Sequence, residues 1–113
     1  MSAILLKLQP NQDMTEGLEA AIAAVGMRHA RVVAAVGSLV EGVIHRGAGV
    51  EIVEGPAVEI AALSGEVHVD GTSRLHGFMI RQNAEVVEGE LMRGCNAVGV
   101  TFELLLEASG ERC

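Results

Sequence analysis

The feature that most constrains this chain is that its predicted strands are apolar on both sides, while only one segment predicts a convincing helix. Half of the 113 residues are hydrophobic. Along residues 31–44 both alternating sets of positions are apolar: Val33, Ala35 and Leu39 on one side, and Val32, Ala34, Val36 and Val40 on the other. One helix covers one face of a small sheet, and monomers rarely leave apolar patches above a few hundred Å² in water. We therefore expect the second face to meet another copy of the chain.

The energetics of association are compatible with this expectation. Covering roughly 800 Å² of mainly apolar surface per subunit, at about 25 cal/mol per Å², is a large favourable contribution. It outweighs the cost of association, which is about 4–15 kcal/mol. The alternative is that loops or the C-terminus fold over the second face. No segment looks apolar and long enough to do so.

The N-terminal third predicts a strand followed by a helix. Residues 3–8 alternate weakly and predict the first strand. Asp13 is a good N-cap, and Glu16 three positions later completes a capping-box pattern. Gly26 is the natural end of the helix, because glycine adopts the left-handed conformation at low cost. The apolar stripe of this helix is Met14, Leu18, Ala21, Ile22 and Val25.

The rest of the chain follows a period of two, which predicts strands. Residues 31–45 form a strand-like run, interrupted at Gly37-Ser38 and Gly42, and residues 47–49 predict a loop. Residues 57–69 form another strand, whose apolar positions change from even to odd; we place a bulge at Ser64-Gly65. Residues 74–81 and 85–92 predict a hairpin around residues 82–84. The last strand has one apolar face: Val98, Val100, Phe102, Leu104 and Leu106.

These elements predict a single α+β domain over residues 1–113, with a mostly antiparallel sheet and one main covering helix. No apolar run is long enough for a membrane span and no signal-peptide core is present, so we expect a cytoplasmic protein. Cys95 and Cys113 fit neither a disulfide framework nor a zinc knuckle, and we expect reduced thiols.

The charge opposes nucleic-acid binding. The formal net charge is -7, from 15 acidic and 8 basic side chains, and the only aromatic residues are Phe78 and Phe102. A net negative chain repels phosphate backbones, and two phenylalanines do not make a platform for stacking bases. Direct DNA or RNA binding is therefore not expected.

The main candidate site is a polar group on the predicted hairpin. If residues 82–84 form a three-residue loop, His76 lies opposite Glu90 and on the same strand face as Arg74. The functional interpretation is a ligand pocket, in which Arg74 binds an anion while His76 and Glu90 handle a proton or help to hold a metal. The structural interpretation is a cross-strand salt bridge with a hydrogen-bonded histidine, which is the commoner arrangement on a half-buried sheet. His29, His45 and His68 receive no role.

Several segments in this order resemble the PPC domain family (plants and prokaryotes conserved, also called DUF296). The segments are residues 10–13, residues 37–39, residues 55–60 with residues 63–65, residues 74–76 and residues 88–91. The resemblance extends from about residue 5 to residue 107. It implies a sheet with a packed helix, assembled as a homotrimer. The family is also named as DNA-binding. In the plant members this name rests on an Arg-Gly-Arg-Pro hook, which does not occur here.

The chain departs from this family at the positions that matter for chemistry. Prokaryotic members often carry three metal-binding histidines, and the resemblance places Arg74, His76 and Glu90 at those positions. Two of the three histidines are therefore replaced, and an arginine beside a cation is unfavourable. The resemblance implies no metal or cofactor here, with zinc, held by His76 and Glu90, as the weak exception. The segment that binds partners in plant members lacks its phenylalanine at residues 55–60.

Two functional hypotheses follow. The first is a trimeric binding or scaffold module, with Arg74, His76, Glu90 and Ser38 lining a small ligand site near a subunit interface; its partners are other copies and a protein or small molecule. The second is a small-molecule enzyme or metal-dependent binder that uses the Arg74, His76 and Glu90 cluster. The first requires no catalytic residue, and the sequence offers no nucleophile in a recognisable setting.

Overall fold

In the computed structural model, which describes residues 3–109, one helix packs against a single eight-stranded antiparallel sheet. The elements in chain order are β1 (Ala3–Leu8), α1 (Met14–Ala24), β2 (His29–Leu39), β3 (Gly42–Arg46), β4 (Gly49–Val53), β5 (Val58–His68), β6 (Arg74–Ile80), β7 (Val86–Leu91) and β8 (Val98–Ala108). Across the sheet the order is β1-β8-β2-β5-β6-β7-β3-β4. The prediction of a mostly antiparallel sheet with one helix is confirmed. No helix among residues 3–109 is long and apolar enough to cross a membrane.

Helix α1 begins and ends where the sequence predicts. Asp13 is the N-cap, and one of its carboxylate oxygens accepts a hydrogen bond of 2.9 Å from the backbone N–H of Glu16. Its other oxygen accepts a bond of 2.9 Å from the backbone N–H of Asn96, so the cap also ties the helix to the loop between β7 and β8. After the helix, Gly26 takes a φ of +81°, which glycine adopts with little strain.

A single buried cluster lies between α1 and one face of the sheet. It draws side chains from the helix and from all eight strands, so both ends of the sheet contribute to one core. Met14, Leu18 and Ile22 of α1 and Phe102 of β8 are completely buried. We call this face of the sheet the covered face and the opposite face the open face.

A buried carboxylate fastens the helix to two loops. Glu19 of α1 accepts hydrogen bonds from the Arg93 guanidinium, the shortest at 2.7 Å, and one of 2.7 Å from the Ser73 hydroxyl. Ser73 precedes β6 and Arg93 follows β7. Burial alone raises the pKa of Glu19, but these hydrogen bonds outweigh it and hold the pKa below its usual value. No role for Glu19, Ser73 or Arg93 is predicted from the sequence.

The region from residue 29 to residue 53 differs most from the prediction. Residues 31–45 are not one run, because β2 ends at Leu39 and β3 pairs with β7 on the far side of the sheet. Residues 47–49, predicted as a loop, contain only a two-residue turn, Gly47-Ala48, and the unpredicted strand β4 follows it. The alternation of a strand is visible in sequence, but the crossing of the chain to a distant neighbour is not.

The bulge in β5 also lies elsewhere. The register with β6 shifts between Ile60 and Ala62, so Leu63 is buried while Ala62 is exposed. The prediction of a bulge at Ser64-Gly65 is therefore wrong, although the change of parity is real. Gly65 is instead required by the close packing of β5 against β6, since a Cβ atom there would lie 2.1 Å from the carbonyl oxygen of Arg74.

Two irregularities between β2 and β8 decide which apolar residues remain exposed. A register shift between Val32 and Ala34 leaves Val32 buried and Val36 exposed. A second shift places residues 99–101 opposite Ser38 alone, so Val100 is 72% exposed, unlike its predicted face partner Phe102. The two alternating sets predicted for residues 31–44 are thus mixed by bulges. The open face is apolar all the same.

Among residues 3–109, seven large apolar side chains are exposed on the open face, from β1 at one edge of the sheet to β4 at the other. They are Leu5, Val36, Val50, Ile52, Phe78, Val86 and Val100.

Candidate functional site

The hairpin of β6 and β7 has the register that the sequence predicts. Residues 82–84 form its loop, with Ala84 at a φ of +72°, and the backbone N–H of Arg81 donates a 2.7 Å hydrogen bond to the carbonyl of Glu85. His76 lies directly opposite Glu90 on the open face. The predicted cross-strand placement of this pair is confirmed.

The side chains of the site nevertheless pair diagonally. The Arg74 guanidinium donates two hydrogen bonds to the Glu90 carboxylate, at 3.1 Å and 2.9 Å. His76 donates from Nε2 to Glu88 at 2.8 Å instead of to Glu90. The planar fork of arginine matches both oxygens of a carboxylate, which gives it the better fit to Glu90. This geometry corresponds to the structural interpretation, a salt bridge with a hydrogen-bonded histidine.

The ion pair fixes the charges of its two members. The hydrogen bonds from Arg74 are the main reason why the pKa of Glu90 lies below its usual value. The same bonds raise the pKa of Arg74. Glu90 is therefore a carboxylate at neutral pH and holds no proton to donate.

The residues at the positions that the resemblance associates with metal do not fit a metal ion. Both oxygens of Glu90 accept hydrogen bonds from Arg74, and the positive charge of this arginine repels a cation. Among residues 3–109 no group of three or more His, Cys, Asp or Glu side chains is arranged to hold a metal. Of Arg74, His76 and Glu90, only His76 remains as a metal ligand, and zinc sites in proteins use three or four ligands.

Ser38 does not join the cluster within one chain. The hollow beside Arg74, His76 and Glu90 has a volume of about 110 Å³. Ser38 lines a separate cavity of about 310 Å³, together with Glu59. Ser38 lies opposite Glu59 across the β2–β5 pair, a register level close to Ile80 rather than to His76.

The residues that extend the cluster across the sheet are not predicted from the sequence. His45 of β3 and His76 of β6 both lie opposite Glu90, and Ser64 of β5 lies opposite His76. His45 lies in β3, and the pairing of β3 with β7 was not predicted from the sequence. A correct pairing of β3 with β7 would have revealed it.

A second histidine pair occupies one end of the open face. Nδ1 of His29 lies 2.7 Å from Nδ1 of His68, so that one imidazole donates a hydrogen bond and the other accepts it. His68 also lies 3.2 Å from a Glu66 carboxylate oxygen. All four histidines of the chain therefore project from the open face, although His29, His45 and His68 were given no role.

Charges of alternating sign cross this end of the sheet in register. Glu107, Arg31, Glu66 and Arg74 stand on four neighbouring strands, each directly opposite the next. Arg31 forms an ion pair with Glu107. Opposite charges on facing strands stabilise a sheet, and like charges there would destabilise it. A row of charges therefore crosses one end of the open face.

Cys95 is not part of this cluster. It is a free, exposed thiol in the loop between β7 and β8. Cys113 lies outside the described residues.

Comparisons with known proteins agree on one family and one fold. The family model of the Plants and Prokaryotes Conserved (PCC) domain, abbreviated PPC above, matches residues 1–109. No curated protein matches the chain.

Solved structures with the same fold share little sequence with it. A hypothetical protein of Salmonella is 22% identical with a TM-score of 0.81, over 93% of this chain and 75% of that one. A metal-containing protein of Archaeoglobus fulgidus is 21% identical with a TM-score of 0.75, over 98% and 82%. A plant- and prokaryote-conserved protein of Pyrococcus horikoshii is 18% identical with a TM-score of 0.75, over 99% and 82%. These likenesses establish the fold.

Proposed function

Because the chain belongs to the plants and prokaryotes conserved domain family, we propose that it is one subunit of a homotrimeric binding or scaffold module. In this proposal the open face forms the contact between copies. The Arg74, His76 and Glu90 cluster then contributes a polar site beside that contact.

The observation that carries the proposal is the exposed apolar area of the open face. Leu5 is 77% exposed and Val100 is 72% exposed, at positions where a covered sheet would bury them. These side chains lie on one face of a continuous sheet, so a second surface can cover several of them at once. At about 25 cal/mol for each Å² removed from water, covering it supplies the main driving force for assembly.

The polar cluster suits recognition better than catalysis. Its hollow of about 110 Å³ is small beside the roughly 300–1,000 Å³ of ligand pockets. Arg74 is 78% exposed on its side chain and keeps one nitrogen free of Glu90, which suits an anionic group on a partner. We therefore assign Arg74, His76 and Glu90 to contacts with a partner protein or a small anionic ligand.

The enzyme or metal-dependent alternative is supported only by the described metal-containing relative of Archaeoglobus fulgidus. The donor set in this chain does not match such a role. Elemental analysis of the purified protein, compared with the His76→Ala variant, decides the question. A stoichiometric metal that the variant loses would replace our proposal with the alternative.

Direct DNA binding is also a weaker candidate. A protein of Bacteroides thetaiotaomicron with the same fold, 15% identical and with a TM-score of 0.79, is described as a candidate DNA-binding protein. The net charge of -7 in the present chain opposes contact with phosphates. A shift of duplex DNA that persists at about 0.15 M salt would overturn this assignment.

Sedimentation equilibrium tests the trimer. We expect a mass of three times the 11.8 kDa chain at micromolar concentration. A mass of one chain under these conditions would contradict the proposal, and a mass of two chains would replace the trimer with a dimer.

A further inference from the structure

Three charged groups of the open face, Lys7, Glu59 and Glu103, form no side-chain ion pair or hydrogen bond with any residue from 3 to 109. Lys7, the only lysine of the sequence, projects from the edge strand β1. It lies opposite Glu103, yet it forms no ion pair or hydrogen bond with any residue from 3 to 109. Glu59 of β5 likewise has no such partner within that range. Four other carboxylates of this face, by contrast, lie beside a cation or an imidazole: Glu66, Glu88, Glu90 and Glu107.

Glu59 belongs to a cavity with a defined set of acceptors. The cavity of about 310 Å³ is lined by the Glu59 carboxylate and by the hydroxyl-bearing residues Ser38 and Thr101. Its remaining side chains are apolar: Val36, Ile60 and Val100. An ammonium group has three N–H donors, and the carboxylate with the two hydroxyls offers three acceptor groups. Apolar walls accommodate the four methylenes of a lysine side chain.

Two glycines, Gly37 and Gly99, allow the close backbone packing around the cavity. Residues 99–101 of β8 face Ser38 alone, which opens the sheet at this point. A Cβ atom on Gly37 would lie 2.7 Å from the Phe102 ring and from the carbonyl oxygen of Thr101. A Cβ atom on Gly99 would lie 3.3 Å from the Ser38 hydroxyl oxygen. The cavity therefore exists before any occupant arrives.

Lys7 cannot occupy the cavity of its own chain. Three strand spacings of about 4.8 Å separate β1 from β5. Side chains stand roughly perpendicular to a sheet, so an ion pair across that span is out of reach. Lys7 of another copy has no such restriction, because its strand can lie over the open face.

We propose that Lys7 of one copy inserts its ammonium group into the Ser38, Glu59 and Thr101 cavity of the next copy. This inference rests on the proposed trimer and specifies how its subunits meet. The two surfaces differ, one at the sheet edge and one at its centre, and such a head-to-tail contact closes into a ring when the rotation allows. The site is complete only when two copies are present.

A charge exchange tests the proposal. Lys7→Glu and Glu59→Lys each place like charges at the contact, and we expect each to raise the midpoint concentration of assembly by about tenfold or more. The double variant restores the pair in reverse and brings the midpoint back to within about threefold of the wild-type value. Glu41→Lys is the matched control, because this exposed residue between β2 and β3 undergoes the same charge change and does not line the cavity.

The outcomes separate the two proposals. If the wild-type chain is monomeric, the trimer fails, and the Lys7 contact fails with it. If the wild-type chain assembles and both single variants assemble equally well, only the Lys7 contact is refuted, and the cavity is left for a small amine from solution. Circular dichroism of each variant shows that the fold is retained. A defect in both single variants that the double variant relieves supports the contact.

Discussion

The two faces of the sheet are built from similar side chains but differ in what covers them. Leu18 on the covered side is fully buried, while Leu5 on the open face is 77% exposed. Both are leucines next to the same sheet. Full burial of a leucine is worth about 1.5–3 kcal/mol, and Leu5 contributes none of this in a single chain. The covered face explains why one chain folds, and the open face explains why it should not remain alone.

The polar groups of the two faces also differ in how deeply they are buried. Under the helix, Glu19 is buried and bonds to both Arg93 and Ser73, which join two loops to α1. On the open face, the Arg74–Glu90 pair is accessible to solvent. A buried and fully bonded carboxylate stabilises one geometry strongly, whereas an exposed ion pair contributes little. The covered face fixes the fold of the chain, and the open face leaves its charges accessible to solvent.

The largest loss of unfolding free energy is expected for a substitution on the covered face. Leu18→Ala removes a completely buried side chain from the core, so we expect the free energy of unfolding to fall by about 2–5 kcal/mol. Urea denaturation measures this change. A loss below 1 kcal/mol (about the value for an exposed site) would show that α1 is not packed as described.

The next largest effect concerns the carboxylate that fastens the helix. Glu19→Gln removes the charge that Arg93 and Ser73 contact, and we expect a loss of about 1–3 kcal/mol in urea denaturation. Glu16→Gln is the control, because Glu16 is half exposed and lies 3.5 Å from the same arginine. Equal losses in both variants would contradict the distinction between buried and exposed pairs.

The loss of stability in acid is a second test of the role of the Glu19 carboxylate. The pKa of Glu19 is lowered in the folded chain, so its contribution is present above the ordinary glutamate pKa and is lost as the pH falls through the lowered value. We expect the wild-type chain to lose more unfolding free energy than Glu19→Gln between about pH 5 and pH 2. Parallel pH profiles for the two proteins would refute this role.

A smaller effect is expected on the open face, where ion pairs are exposed. Arg74→Gln breaks the bond to Glu90, and because this pair is exposed we expect the unfolding free energy of the single chain to change less than in Glu19→Gln. A double-mutant cycle with Glu90→Gln gives the coupling directly. Coupling as large as the loss in Glu19→Gln would make the cluster a structural element rather than an accessible site.

The smallest effect on folding should come from the apolar side chain at the open edge. Leu5→Ala changes the unfolding free energy of the dilute chain by less than about 0.5 kcal/mol, because Leu5 has little contact to lose. The same variant should weaken self-association, measured by sedimentation. If assembly is unchanged, Leu5 lies outside the contact between copies.

Local patterns predicted the parts of the fold that depend on neighbouring residues. The Asp13 cap, the glycine end at residue 26, strand β1 and the register of His76 with Glu90 all follow from short-range spacing. Each rests on a turn or cap whose chemistry lies within a few residues. The apolar second face was also visible, because alternation exposes it whichever side is buried.

Long-range pairing was not visible. The jump from β2 to β3 and the partner of β4 depend on contacts between distant strands. Bulges at Val33 and Ala61 each add one residue to a strand and so exchange the two faces, which spacing alone cannot locate. For the same reason the sequence placed Ser38 beside His76 and left His45 without a partner. The choice of Glu88 by His76 depends on side-chain geometry across the hairpin.

The central claim is that copies of the chain cover each other's open face, and thiol labelling tests it directly. In a chain with both cysteines replaced by serine, Val36→Cys places a thiol on the open face, and Val25→Cys places one after α1; both valines are exposed. We predict that maleimide labels position 36 slowly above the assembly midpoint and rapidly on dilution, while position 25 reacts at one rate throughout. Equal, concentration-independent labelling at both positions would contradict the account.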